Sequence, residues 1–588
     1  MLARLRRGLT AFAVERGGLI ALATLVLYLW LAPGHIVDGD NAEFSTLGSL
    51  GGVAHPTGYP LYLMWLRATS WLAAEPAHAA ALATAILGAI QVFVLHAACR
   101  AWGARATAAS IAVAVFAAGP VALRIHTEAE VFALNGLVVA GVLLLAAPNA
   151  PMRGRRRVVM LALVAGLGLS NHLTCVLVAP VGIAGMVVGV REDSRGRTVT
   201  LIGAAIALIV GLAPYAYLLV TDQTLLSWGR IEGIGGLVGH FLRSDYGGPA
   251  QFSPHGTGSS PIDHLIALAQ TLGRGWWWFG AGLGLVVLGA KSARRGADRW
   301  RWAMLALSFV LAGPVLASRF NIEPTGIGLF ICQRFHMLPY VLLVVPVAVG
   351  VDQLIARGQL RWPSLVDRGR MLAVVVPFAF LVVATSVSLP YVQRMHTAAV
   401  ERGLENTLRS LPVGAVVIVH TDLMHFGLGY LQATRGERLD VTVITWPQVP
   451  SPQYRARIAR ITGIELATSA TGARSVEVAA RILATGRPLL VDAYGSNIAT
   501  AYPSYPYGIL FRVLPRGSAL PSIEELFRTN LAMFERFVLD YEPPGFDDDF
   551  ATQFHALYAR LWATIGGALP AGEARTIAND FEKALAPR

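Results

Sequence analysis

Three carboxylates, Asp38, Asp40 and Glu43, crowd together directly after the first long apolar run, and His55 and Tyr59 follow in Val53-Ala-His55-Pro56-Thr-Gly58-Tyr59-Pro60. A run of about 20 apolar residues is what one bilayer crossing requires, and this one ends near Pro33. An acidic loop there adds nothing to membrane anchoring or to a packed core, so a site is the simpler reason for it. Carboxylates at a water–membrane boundary can take a proton from an attacking hydroxyl, because partial burial and like-charged neighbours raise their proton affinity towards the working pH.

Two other loops carry the remaining polar chemistry. One holds Arg124, His126, Glu128 and Glu130, and a later one holds Arg319, Glu323, Gln333, Arg334 and His336. A guanidinium can grip a phosphate through two parallel, charge-assisted hydrogen bonds. Base plus phosphate clamp beside lipid points to transfer of a group from a lipid-linked phosphate to an extracytoplasmic acceptor, with the leaving phosphate stabilised as its charge develops. Arg334 is the first choice for the clamp and Arg124 the second. Taken singly, these residues have plainer roles: a solvated acidic loop, a turn histidine, an interfacial arginine. Their collection on one side favours a site.

The rest of the chain must position those loops. Of its 588 residues, 54% are hydrophobic and 14% charged, which excludes an ordinary soluble globule. The fold class expected is mainly α, a polytopic transmembrane helical bundle. The net charge of +12 resides in arginine clusters between apolar runs, with lysine only at 291 and 583, so it reads as topology signal; no nucleic-acid-binding motif accompanies it. Apolar runs near 18–33, 77–99, 106–123, 131–147, 157–171, 173–190, 199–220, 275–290, 302–317, 337–356 and 371–389 give about eleven spans. Basic clusters at 4–7, 100–105, 153–157, 191–197, 291–301 and 357–370 mark every second connection as cytoplasmic. The N-terminus is then cytoplasmic, its first helix uncleaved, and the carboxylate loops are extracytoplasmic. Residues 60–74 and 262–274 read as helices lying along the headgroups, and Trp276, Trp277 and Trp278 as boundary anchors. Cys99, Cys175 and Cys332 lie in or beside apolar runs and read as small core hydrophobes. The division expected is a membrane module over 1–390 and an extracytoplasmic α/β domain over 391–588, where short β-branched runs such as Ala415-Val-Val-Ile-Val-His420 alternate with helical patterns.

The residues also carry a family resemblance. Asp40-Asn-Ala-Glu43-Phe44 and His55-Pro56-Thr57-Gly58-Tyr59-Pro60 resemble the Asp-Ser-Gly-Glu-Phe and His-Pro-Pro-Gly-Tyr-Pro signatures of a large membrane family long known only as a domain of unknown function. That family includes an animal O-mannosyltransferase acting on plexin and hepatocyte-growth-factor-receptor ectodomains. Glu130-Val-Phe-Ala-Leu-Asn135, Gly166-Leu-Gly-Leu-Ser-Asn-His172-Leu-Thr174, Trp228-Gly229, Asp245-Tyr-Gly247 and Arg334-Phe335 extend the likeness over residues 15–350, more weakly into the tail. The resemblance implies a GT-C glycosyltransferase fold, a polyprenyl-phosphate sugar donor and a catalytic carboxylate in the first outer loop. Asp40 then corresponds to the base, with Glu43 and Asp38 as catalytic neighbours. His55, Tyr59, Arg124, Glu128, Glu130, His172, Arg334 and His336 are expected on the substrate-binding side. Asn-Ala replaces Ser-Gly, Thr57 replaces proline, and Thr421-Asp-Leu-Met-His-Phe426 departs from the family's Asp-Asn-Asp pattern. Asn171 and His172 are expected to satisfy one another inside the bundle.

The function expected is transfer of a sugar, mannose by resemblance, to a hydroxyl of an exported protein at the outer face of a bacterial inner membrane. A lipid or surface glycan is the alternative acceptor, and a transporter or flippase the alternative class. Apolar spans largely free of charge, with ionisable groups at their outer ends, disfavour transport. No cofactor is expected beyond the donor substrate. Asp38, Asp40, Glu128 and Glu130 offer oxygen ligands for a divalent ion, but arginine serves a monophosphate leaving group, so a metal is not favoured.

Overall fold

The computed structural model describes residues 17–193, 196–246, 259–361, 369–449, 451–466, 472–545 and 550–587. Arg4, Arg6 and Arg7, and parts of the basic clusters at 191–197 and 357–370, lie outside the described residues, as does Gly247 of the Asp-Tyr-Gly motif.

Every expected apolar run falls on helix, because in a bilayer each backbone polar group must be satisfied within its own segment. Length is another matter. Among the described residues, four helices are long and apolar enough to cross: Pro76–Ala101, Leu173–Glu192, Arg197–Val220 and Val374–Ser410. A fifth is the pair Gly326–Leu342 and Val344–Arg361, bent by 44°. Gly17–Leu31, Ala106–Ala117, Val131–Ala146 and Phe279–Ala293 are apolar but shorter. The count of four or five by length and composition differs from the eleven expected, because turns and 3-10 segments divide the apolar runs. The run 106–123 divides into Ala106–Ala117 and Pro120–Ile125, with Pro120 beginning the second helix.

Ion pairs join the basic connections two by two. Arg105 Nε lies 2.7 Å from Asp352 Oδ1, and Arg157 Nη1 lies 3.6 Å from Glu192 Oε1. The helix Pro60–Thr69 buries Tyr62, Leu63 and Leu66 and leaves Met64 exposed, with Trp71 exposed just beyond it, an amphipathic division. The three tryptophans separate. Trp276 is buried against Phe116 and Tyr340, whereas Trp278 is 60% exposed, so only the last has the exposure an anchor needs. The three cysteines are buried and free.

The tail is built on a mixed five-stranded sheet in the order β2-β1-β3-β5-β4, from β1 (Val416–Val419), β2 (Thr442–Thr445), β3 (Leu489–Val491), β4 (Ser504–Tyr507) and β5 (Leu510–Val513). β1 pairs in parallel with β2 and β3, while β5 runs antiparallel to β3 and β4. Alternation along β1 gives the sheet two apolar faces. Val416 and Ile418 join a separate core, while Val417 and Val419 belong to the main core that runs back through the helical bundle. The expected division at residue 390 falls inside the helix Gly369–Met395.

Arg435 fastens the tail. Its Nη1 lies 2.6 Å from Glu405 Oε1, and its Nη2 lies 2.9 Å from Glu401 Oε1 and 3.1 Å from Glu75 Oε1. Glu401 also accepts the backbone N–H of Ile36 at 2.9 Å, tying the tail to the loop that precedes Asp40. Removing the cation leaves Glu401 and Glu405 buried without it, and breaking a buried pair on one side costs about 3–5 kcal/mol. Arg435→Ala is therefore expected to lower the thermal stability of the detergent-solubilised protein by roughly 3 kcal/mol, with partial recovery in Arg435→Lys. Unchanged unfolding would show that apolar packing alone holds the tail.

Candidate active site

Gly39 adopts φ +68°, a left-handed conformation that glycine takes without strain, and it turns the chain so that Asp40 sits at the N-cap of the helix Asn41–Leu50. Asp40 Oδ2 accepts from Arg334 Nη1 at 2.6 Å, and the same nitrogen lies 3.4 Å from Glu130 Oε2. Three distant segments meet here: the loop at 34–40, the N-cap of the helix Val131–Ala146, and the helix Gly326–Leu342. Burial works against charge on Asp40, but the cations of Arg334 and His55 outweigh it and hold the carboxyl below its ordinary range. Asp40 is thus ionised at neutral pH. Burial pushes Glu130 up to about 7, against the pull of Arg334, so this acid is poised near neutrality.

Behind Asp40 runs a chain of hydrogen bonds. Glu43, fully buried, accepts the backbone N–H of His55 at 2.9 Å through Oε1 and holds His55 Nδ1 at 2.6 Å through Oε2. His55 Nε2 lies 2.9 Å from the Tyr59 hydroxyl, and the Tyr59 ring stacks on His172 with centroids 5.7 Å apart. Burial alone would lower the imidazolium; the Glu43 carboxylate overrides it and raises His55 to about 9. Glu43 is therefore consumed in positioning His55. His172 Nδ1 pairs with the Thr174 hydroxyl at 2.8 Å, while Asn171 donates to the Val131 carbonyl at 3.1 Å. The expected mutual pairing of Asn171 and His172 is not what the structure shows: backbone and hydroxyl groups lie closer to each.

The other expected residues form a second cluster. Arg124, fully buried, donates to the Tyr391 hydroxyl at 3.0 Å, lies 3.9 Å from Glu128 and packs 4.0 Å over the Phe330 ring. Glu128 lies 3.3 Å from His396, Tyr391 donates to Gln333 at 3.0 Å, and Asp38 contributes its charge beside Arg124 and Tyr391. Arg124 thus holds the helix Gly369–Met395 against the loop at 126–130, where its guanidinium serves protein partners. His336 is not brought to Asp40; it is buried with Nδ1 3.0 Å from Thr271 Oγ1. Among the described residues, no group of three or more His, Cys, Asp or Glu side chains is arranged to hold a metal ion.

Two residues at the site escaped sequence reasoning. Asp422 begins the helix Asp422–Arg435, which packs on Asn41–Leu50, and Phe426 one turn later stacks on the His55 ring at 6.4 Å. Burial, then the charge of Asp40, raises Asp422 to about 6. Arg243, in left-handed backbone at φ +57°, directs positive potential at Tyr59 and His172. Its neighbour Asp245 belonged to a recognised motif, which was the available signal; Asp422 lay in the stretch that departs from the family pattern.

Residues 40–195, which supply Asp40, Glu43, His55, Tyr59, Glu130 and His172, match the family described as the protein O-mannosyl-transferase TMEM260 N-terminal domain. Across 86% of this chain, the fold superposes with a TM-score of 0.54 on 99% of ArnT from Cupriavidus metallidurans bound to undecaprenyl phosphate, at 15% identity. The chain shares the fold of ArnT. The mouse protein O-mannosyl-transferase TMEM260 is 24% identical over 475 residues, 76% of this chain and 64% of that protein. The Dictyostelium discoideum protein of the same name is 22% identical over 366 residues, 57% of this chain and 44% of its own. The chain thus aligns with less than two thirds of either relative.

The Glu43–His55 pair has a pH signature. A histidine whose folded value lies above 6.5 gives its full stabilisation below 6.5 and loses it as pH rises through about 9. Thermal stability of the purified protein is expected to fall between pH 7 and 9.5, and Glu43→Gln should flatten that fall. A profile unchanged by Glu43→Gln would place the titration elsewhere.

Proposed function

We propose that this protein transfers a single sugar, mannose, from a polyprenyl phosphate to a serine or threonine hydroxyl of an exported polypeptide at the extracytoplasmic face of the membrane. The observation that carries the reading is Asp40, held ionised by Arg334 at 2.6 Å within the segment that matches the O-mannosyl-transferase domain. The names of the mouse and Dictyostelium relatives support the sugar and the protein acceptor. The undecaprenyl phosphate bound to the structural neighbour supports the donor class.

The chemistry follows from the charges. The acceptor hydroxyl gives its proton to Asp40 as its oxygen bonds to the anomeric carbon, and the bond from that carbon to the phosphate oxygen breaks, releasing polyprenyl phosphate. An ionised carboxylate is needed before the proton moves, and Arg334 secures it. Arg334 then faces a developing phosphate charge as Asp40 is neutralised, so one guanidinium serves both partners in turn. Glu130, near neutrality, keeps the group's net charge small while the donor phosphate enters. Glu43 and His55 fix the loop and Tyr59 shapes its wall. This work needs only the chain's own residues and the donor, with no cofactor proposed.

Asp40→Asn keeps shape and loses the base. With mannosyl-phosphoryl-polyprenol and a threonine peptide in liposomes, transfer is expected to fall by about two to four powers of ten, with insertion intact. Wild-type turnover in this variant would remove Asp40 from the chemistry. Arg334→Lys keeps the charge and loses the fork, so it should weaken donor use, and Arg334→Ala should weaken it further; unchanged donor titrations in both would end the clamp assignment. Sugar appearing on lipid or glycan and never on peptide would move the acceptor to the alternative class.

The proposed sidedness has its own test. Reporter fusions after residue 400 should be active as alkaline phosphatase and dark as a cytoplasm-dependent fluorescent protein. The reverse pattern would put the tail and Asp422 on the cytoplasmic side.

A further inference from the structure

A cleft of about 490 Å³ opens between the tail and the loop carrying Trp228 and Asp245. Its floor is the carboxyl ends of β1 and β2: His420, Thr421 and Asp422 follow β1, while Thr445, Pro447, Gln448, Ser451 and Pro452 close or follow β2. In sheets with parallel strands, ligands bind outside those ends. The volume lies in the range that holds a small-molecule-sized group.

The lining says what enters. It holds two carboxylates, Asp245 and Asp422, two histidines, and no lysine or arginine, so a phosphate or an acidic glycan is poorly served. Trp228, Pro447 and Pro452 offer apolar surface beside these polar groups. Gln448, 3% exposed, shares Nε2 with His425 at 3.0 Å, while its Oε1 is buried with no hydrogen-bond partner. An unsatisfied buried carbonyl costs stability unless a donor arrives, and a backbone N–H is such a donor. His420 is fixed from behind by Asp492, Nδ1 to Oδ1 at 2.7 Å.

The cleft also has a direction. Asp422 lines it and at the same time lies within the electrostatic reach of Asp40, His55, Glu43 and Arg334. The packing of its helix on Asn41–Leu50 and the stacking of Phe426 on His55 set Asp422 between cleft and base.

We infer that this cleft is the acceptor site, binding an extended, uncharged or basic polypeptide segment through Gln448, Trp228 and Asp245 and passing its hydroxyl side chain by Asp422 to Asp40. The inference rests on protein O-mannosylation as proposed above and adds where the acceptor lies and what charge it carries. Asp422 is a positioning residue, acting on the hydroxyl's approach.

The test uses the full chain in liposomes with mannosyl-phosphoryl-polyprenol, a blocked Ala-Ala-Thr-Ala-Ala-Lys peptide and its Lys→Glu counterpart, which keeps the threonine. Gln448→Leu should raise the peptide KM at least tenfold with donor KM and slow donor hydrolysis unchanged. Asp245→Asn should narrow the preference for the basic peptide. A photo-crosslinking residue at Pro447 should capture the basic peptide, competed by excess unlabelled peptide and not by mannose oligosaccharide. This capture needs no turnover, so it reads the cleft separately from the reaction. Capture without transfer in the wild type would support the cleft and overturn the transfer reading. Transfer with no capture and an unaltered peptide KM would overturn the cleft alone. Competition by the oligosaccharide would overturn it in favour of a glycan acceptor.

Discussion

A guanidinium withdrawn from water must be matched by carboxylates, and Arg334, with its side chain 12% exposed, is matched by Asp40 and Glu130. Its place within the helix Gly326–Leu342 obliges the loop at 34–43 and the loop at 124–130 to close over the same point. Closure then sets the next requirements. Glu43 is driven fully inside and must be met by His55, and Tyr59 is fixed through His55. The site is a set of obligations that begins with one arginine. The same pairing decides the chemistry, because it holds Asp40 ionised while burial makes Glu130 protonate near neutrality.

A second set of buried charges brings the tail to that site. Arg435 gathers Glu75, Glu401 and Glu405, and Tyr430 bonds Glu75 and accepts the Ala77 N–H at 3.2 Å. His35 and His396 reach across to backbone carbonyls, of His396 and Leu31 respectively. These contacts seat the helix Asp422–Arg435 on the helix Asn41–Leu50, so the α/β sheet presents the ends of its parallel strands beside Asp40. The tail is part of the site's wall.

The sequence made local matters legible and left long-range pairing hidden. Each apolar run fell on helix, because hydrophobicity in a membrane segment is a property of consecutive residues. The span count fared less well, because prolines and 3-10 turns that interrupt a run shorten helices without lowering its hydropathy. The carboxylates and His55 stood out by type and place, and Arg334 by its position at a span. Glu43 meets His55 only 12 residues on, but that Arg124 would be spent on Tyr391 depends on a contact between segments 267 residues apart. Asp422 was hidden for the same reason: one aspartate opening a helix in a soluble-looking tail gives no local sign that it abuts a loop 380 residues earlier. His336 shows the reverse error, since nearness in sequence to Arg334 put it at the site while the helix turns it towards Thr271.

If Arg334 acts through Asp40 and the departing phosphate as one unit, removing both residues should cost little more than removing the worse one. A double-mutant cycle of Asp40→Asn and Arg334→Ala, read as peptide mannosylation rate at saturating donor, measures this directly. The account predicts that the double variant retains about the rate of the slower single variant. Losses that multiply would contradict it, showing that the 2.6 Å pair is structural and that base and clamp lie apart.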